Sequence, residues 1–173
     1  MRLVVCDPPR HGASIAAILN EVIATTTALY EYSPRTSDDM SLWFRTKDDA
    51  RFPVVVAVDD SDAVLGFATY GAFRAYPAYK YTVEHSVYVH RDHRGLGIGR
   101  TLLRDMIARA AGQQYHVMIG VIDAGNAASI ALHEREGFHR AGVIPQVGYK
   151  FGRWLDAAFY QLILATPADP VDG

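Results

Sequence analysis

The sequence predicts an α/β sandwich with mixed strand directions, and three observations carry that prediction. Apolar residues recur at helical spacing in some stretches and as short strand-length runs in others. Helical and strand-like stretches interleave in the order α, β-hairpin, β, α, β, α, β, which fits layered packing better than an all-α or all-β core. At 173 residues the chain has the length of one domain and can bury roughly 70% of its unfolded surface without a disulfide.

Each element has its own justification. Residues 13–23, ASIAAILNEVI, set Ile15, Ile18, Leu19, Val22 and Ile23 on one helical face, and 38–48 reads as a second helix. FPVVVAV at 52–58 has the continuous apolar character of a buried strand. DDSD turns it, and AVLGFATYGAF at 63–73 returns as the second arm of a hairpin. TVEHSVYV at 82–89 is a further strand. From Gly99 the segment GRTLLRDMIARAAG aligns Leu102, Leu103, Met106, Ile107 and Ala110, with Gly112 as its stop. HVMIGVI at 116–122 is a central strand, NAASIALHERE at 126–136 a short helix ended by Gly137, and AAFYQLIL at 157–164 a last strand. Residues 1–173 read as a single domain, with 166–173 as a flexible tail.

Composition narrows the function classes. A net charge of −2 gives no global attraction to nucleic acid or to an acidic membrane, so any anion site is local. No apolar run approaches the length of a signal peptide core or a membrane span, and a soluble cytoplasmic protein is expected. Cys6, flanked by apolar residues and without an internal partner, reads as a small buried hydrophobe.

The most informative stretch is HRDHRGLGIGR at 90–100. Glycines at 95, 97 and 99 allow a tight turn and close main-chain approach, and the following helix start adds roughly half a positive charge. Arg91, Arg94 and Arg100 add clustered cations that a purely structural turn does not need. This suits a phosphate or pyrophosphate. The P-loop spacing is absent, and GxGxG carries Arg100 where a dinucleotide fingerprint needs glycine. His90 and His93 form HxxH among arginines with no completing carboxylate or thiol, so no metal site is expected.

VYVHRDHRGLGIG resembles the acetyl-CoA pyrophosphate loop of the GNAT superfamily of N-acetyltransferases, and NAASIALHEREGF at 126–138 resembles that family's second signature, the helix along the pantetheine arm. NEVIATTTALYEYSP, FRAYPAYKYTVEHSVYV and GYKFGRWLDAAFYQLIL look like its phosphinothricin and methionine sulfoximine branch across residues 13–165. The resemblance implies the GNAT fold, a mixed, mostly antiparallel central sheet flanked by helices. It also implies acetyl-CoA as cosubstrate and acetylation of the α-amine of phosphinothricin, methionine sulfoximine or methionine sulfone. A homodimer is implied too.

Carried over residue by residue, the resemblance implies an acetyl-CoA site of Val87, Tyr88 and Val89, then Arg94, Gly95, Leu96, Gly97, Ile98, Gly99 and Arg100, and finally Asn126. A strand edge at 87–89 can pair with an amide-bearing arm, and one N–H there can polarise a thioester carbonyl. Asn126 also suits a helix N-cap. Glu84 matches the branch's general base, and at ~3.3 Å per residue it stands about 10 Å along the strand from Val87, which calls for a water relay or a bridging substrate. Alternation groups Glu84, Ser86 and Tyr88 on one face, with His85, Val87 and Val89 on the other. His133 replaces the tyrosine most GNAT enzymes carry facing the sulfur, and a histidinium there is the expected acid for the departing thiolate; a cation at the negative end of a short helix is the alternative. Arg74, Tyr79 and Lys80 are the substrate-anion candidates, Arg74 foremost for its bidentate fork, with Lys150 and Trp154 secondary. Two other functions remain open: acetylation of a different amine, such as a polyamine or a protein N-terminus, and acyl-CoA binding without turnover.

Overall fold

The computed structural model describes residues 1–172. Among the described residues, seven strands form one sheet in the order β1-β2-β3-β4-β5-β7-β6, and four α-helices accompany it. The strands are β1 (Arg2–Val5), β2 (Val54–Val58), β3 (Val64–Ala72), β4 (Thr82–Val89), β5 (Val117–Asp123), β6 (His139–Lys150) and β7 (Arg153–Ile163). The helices are α1 (Pro8–Thr25), α2 (Ser37–Asp49), α3 (Ile98–Gly112) and α4 (Ala127–Arg135). Strands β4 and β5 pair in parallel, whereas β1–β2, β2–β3, β5–β7 and β6–β7 are antiparallel, so the mixed, mostly antiparallel expectation holds. No helix among the described residues is long and apolar enough to cross a membrane.

The chain packs as two compact units. The first comprises Met1–Thr69 with Val87–Leu103, and the second Tyr70–Ser86 with the chain from Arg104 onward. In the first unit, β1 and β3 flank β2, whose five residues are all buried. Ile15, Ile18 and Leu19 of α1 and Met40 of α2 close over Val54, Val56, Val58 and Phe67. Asp39 makes α2 start where it does. Its carboxylate accepts from the main-chain N–H of Thr36 while the Thr36 hydroxyl accepts from the N–H of Asp39.

In the second unit β5 is the centre of the sheet, parallel to the start of β4 and antiparallel to β7 along its whole length. The parallel register covers Thr82↔Val117, Val83↔Met118 and Glu84↔Ile119. Leu155, Ala157, Ala158 and Tyr160 of β7 and Phe138 beyond α4 belong to the core of this unit.

Two strands lie outside the sequence expectation. Arg2–Val5 is only four residues, too short for periodicity to declare it. His139–Lys150 contains Gly142, Pro145 and Gly148, is almost wholly exposed, and shifts register twice against β7. Those breaks erase the alternation by which a strand is recognised. The Thr166 hydroxyl donates to Tyr115 O, and the Tyr81 hydroxyl accepts from Val171 N–H at 3.1 Å.

Candidate functional site

The loop between β4 and α3 has the form that the glycine spacing demanded. A single turn of 3-10 helix at Arg91–His93 follows the strand, and the His90 ring nitrogen accepts from Asp92 N–H. Gly95 and Gly97 both have φ near +80°, which L side chains rarely adopt, and a Cβ built on either meets nothing within 4 Å. The turn therefore runs through open space and presents bare main chain at the start of a 15-residue helix. Leu96 between them is 70% exposed, whereas Ile98 is buried and pins the helix start. Gly99 falls inside the first turn of α3.

The cations of this loop are distributed unequally. Arg94 donates to Val89 O at 3.2 Å and to the Glu21 carboxylate at 2.9 Å, so it ties the loop to α1. Arg100 is exposed on the first turn of α3. On the preceding strand, Tyr88 packs its ring on Phe67 with centroids 5.3 Å apart and joins the apolar cluster under α1 and α2. Val87 and Val89 are half-buried. An acetyl-CoA pyrophosphate fits this loop, because the empty space beside Gly95 and Gly97 is what a bulky anion needs to reach the N–H groups.

In the second unit, β4 alternates as expected: Val83 and His85 are buried, whereas Thr82 and Glu84 are half-buried. Glu84 sits at the last pair of the β4–β5 register, opposite Ile119. Asn126 caps α4, its side-chain oxygen accepting from Ser129 N–H at 3.1 Å. Asp123 supports the turn before it, accepting from the N–H groups of Gly125 at 2.8 Å through its side chain and of Asn126 at 2.8 Å through its carbonyl.

His133 lies in the interior of this unit. It is 4% exposed, its Nδ1 lies 2.7 Å from Ser129 O, and its Nε2 lies 3.1 Å from Nε2 of His85. Burial pulls its pKa below the ordinary histidine value. Burial thus works against the histidinium expected for a thiolate, and both ring nitrogens lie within hydrogen-bond distance of a partner.

His85 is the residue that the sequence reading passed over. It was placed correctly on the face opposite Glu84 but given no role, and its signal was a polar residue at a core position of a strand. Burial, and then His133, pushes its pKa down to about 3. Gly120 on β5 completes the arrangement, since a Cβ there would lie 3.0 Å from His85 Nε2 and 3.1 Å from the His133 ring.

The substrate candidates cluster in the segment before β4. Arg74 is exposed, stacks over Phe73 at 4.4 Å and donates to Phe73 O, a use of one of its five N–H donors. Tyr79 packs edge-on against the same ring at 5.6 Å, and Lys80 lies over Tyr81 at 5.2 Å. Lys150 is 4% exposed and so is not a surface cation, whereas Trp154 is 60% exposed beside Tyr149.

Residues 15–138 match the Acetyltransferase (GNAT) family. The chain belongs to that family. Relatives of this GNAT chain include an L-methionine sulfoximine/L-methionine sulfone acetyltransferase of Pseudomonas aeruginosa, 48% identical over 150 residues and spanning 87% of both chains. A phosphinothricin N-acetyltransferase of Alcaligenes faecalis is 40% identical over 86% of this chain and 75% of its own. Among solved structures, a GNAT superfamily phosphinothricin acetyltransferase from Sinorhizobium meliloti in complex with acetyl-CoA superposes with a TM-score of 0.93. It is 37% identical and matches over 98% of this chain and 91% of its own. The protein is an acetyl-CoA-dependent N-acetyltransferase, and acetyl-CoA is its cosubstrate.

Proposed function

We propose that this GNAT enzyme acetylates the α-amine of a small amino-acid-like acceptor of the methionine sulfoximine, methionine sulfone and phosphinothricin class. The named relatives support the acceptor class. The observation that carries the acetyl-CoA half is the open turn at Gly95 and Gly97, both at φ near +80° before α3.

Acetyl-CoA supplies the acetyl group as a thioester. The main chain of Gly95 to Arg100 holds the pyrophosphate, with Leu96 and Ile98 contributing N–H groups on either side of Gly97. The Val87–Val89 main chain pairs with the pantetheine amides and aims one N–H at the acetyl carbonyl, a contribution of about 10²–10³ in rate where oxyanion donors have been removed. Asn126 holds the start of α4 against the arm while capping the helix. Glu84 takes the amine proton through a water, since an amine must be neutral to attack. Arg74 receives the acceptor's carboxylate or phosphinate with its remaining donors, and Tyr79 and Lys80 border it. His133 keeps its proton on Nδ1 toward Ser129 O and has none on Nε2 to give.

A homodimer belongs to the same proposal. Strand β6 ends the sheet order, and Ile144, Tyr149, Phe151 and Trp154 expose 47–60% of their surface on the β6–β7 hairpin. A bacterial cytoplasmic setting is consistent with relatives from bacteria.

The test is CoA release, followed with a thiol reagent, for methionine sulfoximine, methionine sulfone, phosphinothricin, unmodified amino acids and spermidine. Turnover confined to the first three is expected. Turnover of spermidine or of unmodified amino acids alone would overturn the acceptor class, and a chain that acetyl-CoA fails to stabilise thermally would overturn the pyrophosphate assignment.

A further inference from the structure

We propose that His85 is a positioning residue for this enzyme: it donates its Nε2–H to Nε2 of His133 and thereby fixes the tautomer and seat of the imidazole that fastens α4 onto β4. The proton positions follow from the partners. Ser129 O only accepts, so His133 Nδ1, 2.7 Å away, carries a hydrogen. A neutral His133 then has a bare Nε2, and the 3.1 Å contact requires the hydrogen to sit on Nε2 of His85. His85 Nδ1 is left bare, and it is a buried atom with no hydrogen-bond partner among the described residues.

The surroundings are built for this pair. The two rings stack with centroids 5.0 Å apart and planes 20° off parallel, and Phe138 meets both edge-on at 5.4 and 5.1 Å. Gly120 provides the floor, where a Cβ would stand 3.0 Å from His85 Nε2 and 3.1 Å from the His133 ring. Besides His85, Tyr160 faces His133 with ring centroids 6.5 Å apart, its hydroxyl donated to Glu134. The burial that holds His85 neutral down to about pH 3 agrees with a pair that carries no charge. A hydrogen-bonded chain therefore runs from the strand that bears Glu84 to the helix that begins at Asn126. Losing it loosens the helix without removing a reacting group. The functional part of this inference rests on the acetyl-CoA site proposed above; the tautomer part does not.

The first test is imidazole ¹⁵N NMR on the full chain without ligand. His133 protonated on Nδ1 and His85 protonated on Nε2, with neither titrating between pH 5 and 8, is the expected result. A proton on His133 Nε2, or an ordinary histidine titration at either ring, would overturn the pairing whatever the chain binds. The second test is kinetic. His85→Phe keeps the ring and removes the donor, and should raise the KM for acetyl-CoA roughly three- to tenfold while kcat stays within about twofold. His85→Gln, which restores an N–H, should recover most of that KM. An unchanged KM in His85→Phe would remove the positioning role. A tenfold loss of kcat with a displaced pH profile would instead give His133 a proton to transfer and overturn the assignment.

Discussion

Helices α3 and α4 each follow a loop that leaves a sheet strand, and each carries one of the two signatures legible in the sequence, yet their surroundings are opposite. The entry to α3 is made of glycines with positive φ and nothing within 4 Å of where side chains would be. The entry to α4 is closed by its own side chains, with Asn126 capping Ser129 N–H, and its far end is bolted to the sheet through His133 and His85. At the first entry the turn is left open, with empty space beside its glycines. At the second, both the start and the far end of the helix are held by side-chain hydrogen bonds.

Substitution of the open turn should have the largest effect. Gly97→Val has room for its side chain, but a β-branched residue at φ near +80° costs about 1–3 kcal/mol and occupies the approach to the main chain. Acetyl-CoA binding by calorimetry should fall below detection while the chain still folds; unchanged affinity would mean that the turn holds no ligand. Glu84→Gln comes next. Turnover should fall about 10²-fold or more with acetyl-CoA affinity nearly unchanged. A variant equally active across pH 6–9 would remove Glu84 as the base.

The closed region is sharpened by Gly120→Ala. Its Cβ lies closer to both imidazoles than ordinary contact allows, so denaturant unfolding should show a loss of about 1–3 kcal/mol. A neutral result would show that the pair gives way freely. The remaining effect is a slope. His85 has a folded pKa of about 3 against roughly 6.5 in the unfolded chain, so the unfolded state binds more protons below pH 6.5. Its stabilising share is complete above that pH and is lost as pH falls, by up to about 1.4 kcal/mol per pH unit. The melting temperature should therefore decline from pH 6.5 downward, and His85→Phe should flatten the decline; a parallel decline in both would place the acid sensitivity elsewhere.

The legible parts of the molecule were those governed by local rules. Ile15, Ile18, Leu19, Val22 and Ile23 announced α1 because one side of a helix must be apolar, and all five are buried. Residues 82–89 were bounded correctly because β4 alternates cleanly at its start. What escaped depended on partners remote in sequence. The long strand β6 exists because β7 pairs with it across two register shifts, and nothing within HRAGVIPQVGYK declares that partner. His133 was recognised as a departure from the usual tyrosine, but its state depends on His85, 48 residues earlier. Protonation depends on what stands opposite each nitrogen, and a motif does not print that.

Cys6 has one further consequence, for measurement rather than mechanism. The thiol is half-buried and lies beside Asp7, and burial first, then that carboxylate, pushes its pKa to about 12. Nucleophilic attack on an aromatic disulfide or a maleimide needs thiolate, which this residue does not supply near neutrality. A colour change that follows free CoA should therefore carry little signal from the protein's own thiol, which a blank without acceptor checks.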